Sequence, residues 1–169
     1  MTRVLSLLTD ADRSTAMNLF RALTEVDDRG WSPLTLSWNE VCSIPSISRC
    51  GAERIRDALA AAGLIDLWRE EAAEAGVHVS LVRPNAEHYF NDEERVADED
   101  FMRWRSQLNF AARQWQASGE SVDALLPLEA VEEAKDWLDA RRDAMTARES
   151  SFIEESIKAV GRSRCAGPP

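Results

Sequence analysis

Glycine is scarce, with seven residues in a chain of 169. None of the seven builds a phosphate-cradling loop or a Gly-x-Ser-x-Gly elbow, so nucleotide-dependent catalysis and elbow-type hydrolysis have no support. Histidine is scarcer still: His78 and His88 do not fall with Cys42 or Cys50 at zinc-ligand spacing. The third cysteine, Cys165, makes the number odd, and two of the three fall in helical patterns, so reduced thiols are expected rather than a disulfide framework. No apolar run approaches a membrane span, and the stretch from Met1 to Leu8 is too short and too soon polar for a secretory signal; a cytoplasmic location is expected. An excess of basic residues is also missing. The 20 Lys and Arg stand against 30 Asp and Glu, a net charge of -10. The acid is shared between the halves: 9 basic against 13 acidic residues in 1–90, and 11 against 17 in 91–169. No enzyme, cofactor or metal site is expected.

What the chain does have is strong helix punctuation between Ser37 and Ile65. Ser37 is an N-cap, Glu40 completes a capping box, and Leu36 and Val41 stand at hydrophobic-staple positions, so a helix starts at Trp38. Pro45 biases Ile44 away from the helical region and ends that helix near Ser43. Ser46 or Ser48 then caps a second helix, in which Ala52, Ile55, Leu59 and Ala62 form one apolar stripe and Gly63 supplies the stop. Two strand candidates follow, Leu64 to Trp68 and the alternating Val77 to Val82, read as a hairpin. On that alternation His78 is a solvent-side residue. Upstream, Thr9 caps a helix with Asp12 three residues on, and Ala16, Leu19, Phe20 and Leu23 give it a buried face.

Helix, helix, helix, hairpin is an order that resembles the winged helix-turn-helix superfamily. The resemblance rests on Ile47-Ser48-Arg49, Ile55, Ala58-Leu59 and Gly63-Leu64-Ile65, and covers roughly the first half. Within that superfamily it is nearest in feel to prokaryotic transcription regulators and to phage or plasmid replication-initiation proteins. The resemblance implies a mainly α fold with a small β-hairpin, and a second helix that meets double-stranded DNA. Ser46, Ser48, Arg49 and Glu53 would then face base edges, with Arg54, Arg56 and Arg69 on phosphates. The charge pattern resists this. Glu53 and Asp57 sit among the arginines, and Glu70, Glu71 and Glu74 crowd the wing, where a phosphate backbone would repel them. A winged-helix adaptor that docks a protein is therefore a competing expectation, as is a replication or partition role.

The second half reads as two helices. Asp98-Glu99-Asp100 places negative charge at a helix N-terminus, and Phe101, Trp104, Leu108, Ala111, Ala112 and Trp115 recur at helical spacing until Ser118-Gly119. A longer helix begins near Pro127, with Val131, Leu138, Met145 and Phe152 at sevens. Arg141, Arg148 and Glu155 occupy the alternate core positions and argue against an isolated coiled coil. The acidic clusters at 92–94 and 98–100 are read as a solvated capping linker rather than a cation site. The expected organisation is a winged helix-turn-helix domain over 1–90, with its ordered part from about Val4 to Pro84. A helical region over 91–162 is expected to serve in dimerisation, as a homodimer, or in another interaction, unless its aromatics merely close a monomeric core, and 163–169 is expected as a disordered tail.

Overall fold

The computed structural model describes residues 8–28, 30–47, 49–69, 76–82 and 92–165, leaving aside the side chains of 49–50, 92–97 and 163–165. The chain is mostly helical with a small antiparallel β component. Among the described residues no helix is long and apolar enough to cross a membrane.

Helix α1 (Asp10–Ala22) starts where Thr9 Oγ1 accepts the Asp12 amide, and it buries Ala16, Leu19 and Phe20, with Leu23 buried just beyond it. A hairpin that the sequence reading did not anticipate follows: β1 (Thr24–Asp27) and β2 (Gly30–Pro33) pair antiparallel, Asp27 opposite Gly30, whose φ is +110°. Strand β3 (Leu36–Ser37) leads into the short α2 (Trp38–Cys42), where both halves of the Ser37/Glu40 capping box form and Leu36 and Val41 are buried.

After the turn at Ser43–Ile47, α3 (Arg49–Ala61) packs Ala52, Ile55 and Leu59 inward. Ala62, expected to extend that stripe, is exposed, because the chain has already left the helix there. The exit is a Schellman arrangement: Gly63, at φ +66°, donates to Ala60 O at 2.9 Å and Leu64 donates to Leu59 O at 2.9 Å. Strands β4 (Ile65–Arg69) and β5 (Val77–Leu81) then pair antiparallel. β5 also takes β3 on its other edge, with Leu36 opposite Val79 and Ser37 opposite His78, giving the order β3-β5-β4. His78 is half-buried rather than solvent-facing, its ring stacked 6.1 Å from that of Trp68.

The C-terminal half departs from expectation at three places. Helix α4 (Asp92–Ala117) begins before Asp98, so Asp98 is not a cap charge. It is a buried acid accepting from Arg21 at 2.6 Å and Arg141 at 3.2 Å, and it ties α4 to α1. The long helix expected from Pro127 is two helices. Pro127 is the N-cap of α5 (Leu128–Arg141), a 3₁₀ turn follows at Arg142–Ala144, and α6 (Ala147–Cys165) starts afresh. Thr146 and Glu149 form a second capping box at that restart, each accepting the other's backbone amide, at 2.7 and 3.2 Å. Third, α6 continues to Cys165, into the stretch expected as tail; residues 166–169 lie outside the described residues.

Two apolar cores result. One joins α1, α2, α3 and the three-stranded sheet; the other joins α4, α5 and α6, and Val26 of the unanticipated hairpin is buried in it. Trp31 packs against both. Burial of each large side chain contributes on the order of 1.5–3 kcal/mol, so this hairpin is a substantial fastening between the halves. The aromatic side chains of the helical region pack on one another within the chain. Phe101 and Trp104 lie 5.3 and 5.7 Å from Trp137, and Trp115 lies 5.5 Å from Phe152.

Candidate functional site

The outer face of α3 follows from its inner one. With Ala52, Ile55 and Leu59 fixed against the core, the opposite side presents Glu53, Arg54, Asp57, Ala58 and Ala61 to solvent. No described segment of the C-terminal half covers these exposed positions. Arg49 opens the helix one turn before Glu53, and Asp57 lies one turn after it.

Arg54 and Arg56 are engaged by neighbouring groups. Arg54 reaches back to α1, its Nη2 2.6 Å from Asp12 Oδ1. That hydrogen bond, followed by the one from Thr9, holds the Asp12 carboxyl below the usual carboxylate range. Arg56, two positions on and so roughly 200° around the helix, turns to the other flank. Its guanidinium lies 4.8 Å over the Trp38 ring and its Nε donates to Asp57 Oδ1 at 2.8 Å. Arg69 is exposed at the end of β4. Ser48 and the wing acids Glu70, Glu71 and Glu74 lie outside the described residues, as does the side chain of Arg49.

The backbone of Ser46 is engaged within the chain. Its amide donates to Asp143 O at 2.9 Å, and nearby the Ser43 hydroxyl accepts the Ala147 amide at 2.9 Å. Arg148 completes the join with an ion pair to Glu40 and a 3.2 Å hydrogen bond to Asn109. The corner between α5 and α6 is thus seated on the turn between α2 and α3. The sequence reading missed Asp12, Trp38, Asp143 and Arg148 as parts of this surface. The Thr146-x-x-Glu149 spacing was the one signal that a helix begins beside them.

No group of three or more His, Cys, Asp or Glu side chains among the described residues is arranged to hold a metal ion. Asp98, from the acidic clusters weighed above, is spent on two arginines. Cys42, half-buried in α2, is in no disulfide among the described residues. No protein-family model, curated protein or solved structure matches the chain.

Proposed function

We propose that this chain is a winged helix-turn-helix protein that binds double-stranded DNA through α3 and regulates transcription. The observation that carries the reading is the pairing of β3 with β5 beside the β4–β5 hairpin, directly after two helices joined by a tight turn. That order and pairing support a winged-helix reading, and the outer face of α3 is exposed.

In this reading Arg49 and Glu53 meet base edges, an arginine favouring guanine and a glutamate accepting from cytosine. Arg54 and Arg69 meet phosphates. Arg54 can be drawn from Asp12 because an exposed ion pair is only weakly stabilising in water. Arg56, folded over Trp38, orients α2 against α3 instead of touching DNA. Few cations are released on binding, so affinity depends weakly on salt.

A second reading is favoured by one specific observation: the turn amide of Ser46 and the hydroxyl of Ser43 are already occupied by the α5–α6 corner. An acidic surface with an internally sealed turn suits a protein-docking module. Selection from a random duplex pool separates the two. Enrichment of a defined site supports DNA reading, and the spacing of any repeated half-site gives the number of copies bound. A pool without enrichment, together with a stoichiometric protein partner, overturns it.

A further inference from the structure

The longest stretch of the chain without an acidic residue runs from Phe101 to Gly119, in a sequence that holds 30 Asp and Glu. It falls on α4, and burial alone does not explain it. The outward side of that helix carries Arg103, Gln107, Phe110 and Gln114, all exposed, and Phe110 at its centre is 68% exposed. Depletion of acids around an aromatic residue is the composition of an interface core rather than of a solvated helix. Beside this ridge, between α4 and the β1–β2 hairpin, lies a groove of about 420 Å³ lined by Glu25, Val26, Asp28, Arg103, Gln107 and Phe110 among others. Its charges are unevenly matched. Arg103 pairs with Glu99 at 2.8 Å, whereas Glu25 accepts only the Ser32 hydroxyl, at 3.5 Å, and Asp28 has no partner among the described residues. The missing cation is on the same helix. Arg113 lies two turns beyond Ser106, whose hydroxyl holds the Val26 amide at 2.7 Å, and so stands on the hairpin flank of α4. Among the described residues it meets no carboxylate, and its Nη2 donates to Thr35 O at 3.3 Å.

We infer that this face binds a second copy of the chain, the two α4 helices running antiparallel about a two-fold axis beside Phe110. In that arrangement the two phenyl rings meet at the axis, and both hairpin flanks lie on the same side of the helix pair. Arg113 of one copy, three residues past the axis, then stands opposite Gln107 of the other and enters the groove toward Glu25 and Asp28. Each copy supplies both the arginine and the acids. One contact made twice thus matches charges that a single chain leaves unmatched, which favours a copy of this chain over an unrelated partner. The rings supply apolar burial, and the charges fix the register. This interface stands independently of the DNA-binding reading.

Sedimentation velocity of the full chain across micromolar concentrations tests the interface, and the expected result is reversible dimerisation. Phe110→Ser, at an exposed position, should weaken it about tenfold or more while leaving the far-UV circular dichroism spectrum unchanged. Arg113→Asp should weaken it too, as should the double variant Glu25→Lys with Asp28→Lys, because each sets like charges face to face twice. Mixed one to one, these two charge variants should dimerise again, since both contacts of the mixed pair are then between opposite charges. A parent chain that stays monomeric overturns the proposal, as does a dimer that Phe110→Ser leaves intact. Charge variants that dimerise as well as the parent, or that fail to recover on mixing, overturn the antiparallel pairing. A monomeric chain that captures a different protein through Phe110 assigns the face to that protein and overturns the second copy as its occupant.

Discussion

Arg105 of α4 grips Glu149 of α6 through two parallel hydrogen bonds, Nε to Oε1 at 2.9 Å and Nη2 to Oε2 at 3.1 Å, with both side chains almost wholly buried. The same Glu149 Oε2 accepts the Thr146 amide and hydroxyl, and Arg105 Nη1 reaches Arg21 O at 3.4 Å. One carboxylate thus caps α6 and, through its arginine, links α6 to the end of α1. Removing one partner leaves a buried charge unpaired, so Arg105→Ala should cost about 3–5 kcal/mol in urea denaturation. Arg105→Met with Glu149→Gln keeps a capping amide and leaves no buried charge, and should recover most of that loss. A double variant no more stable than Arg105→Ala would show that the pair contributes more than mutual neutralisation.

The corner that this carboxylate caps reaches the turn before α3. Thr146→Ala should lose about 1 kcal/mol of capping. It should also loosen Asp143 and Ala147 where they meet Ser46 and Ser43. The amide of Ser46, which its hydrogen bond to Asp143 O should protect from exchange in the parent chain, should exchange markedly faster in the variant. Unchanged protection at Ser46 would mean that the corner is held by other contacts.

Local punctuation was legible in the sequence and long-range ion pairing was not. Thr9, Ser37 and Gly63 each act through residues within a few positions, and each appears as expected. The buried sevens Val131, Leu138, Met145 and Phe152 were also legible, although they span two helices, because the break at 142–146 preserves the side they bury. Arg141 and Arg148, which spoiled a coiled-coil pattern, find their reason in Asp98 and Glu40, residues 43 and 108 positions away in the chain. The β1–β2 hairpin was missed because four-residue strands carry little periodicity, and what holds Val26 is a core supplied from α4 to α6. On the α3 face, periodicity placed Glu53 and Arg54 outward, but nothing near Arg54 in sequence announced Asp12 as its partner.

That partner gives a pH dependence. The Asp12 carboxyl is held low in the folded chain, chiefly by Arg54. A carboxyl depressed on folding contributes stability above its unfolded value, and that contribution is lost as pH falls through the folded value. Carboxyl NMR should therefore titrate Asp12 below an ordinary aspartate, and Arg54→Ala should move it back up. Acidification below the usual carboxylate range should release Arg54 from α1.

Arg54 also tests the electrostatics of the proposed DNA contact. If it exchanges Asp12 for a phosphate on binding, Arg54→Ala should weaken affinity for specific and non-specific duplex alike and reduce the salt slope by about one. Fluorescence anisotropy across a range of salt concentrations measures both. A parent chain with a steep salt dependence would contradict the sparse cationic surface of α3, on which Arg54 and Arg56 already face carboxylates.

Arg49 should behave differently, because the DNA-binding proposal assigns it to base edges rather than to the backbone. An arginine paired bidentately with a guanine confers about 1–3 kcal/mol of discrimination, so Arg49→Ala should lower affinity for a selected site by that amount while leaving non-specific binding nearly unchanged. Glu53, one turn further along and exposed, adds a second signature. Glu53→Gln removes an acceptor suited to cytosine and lessens repulsion from phosphates, so non-specific affinity should rise while preference at one base pair falls. Opposite signs in the two assays distinguish a base-reading glutamate from one that merely balances charge. A rise in both would leave Glu53 without a role in sequence recognition.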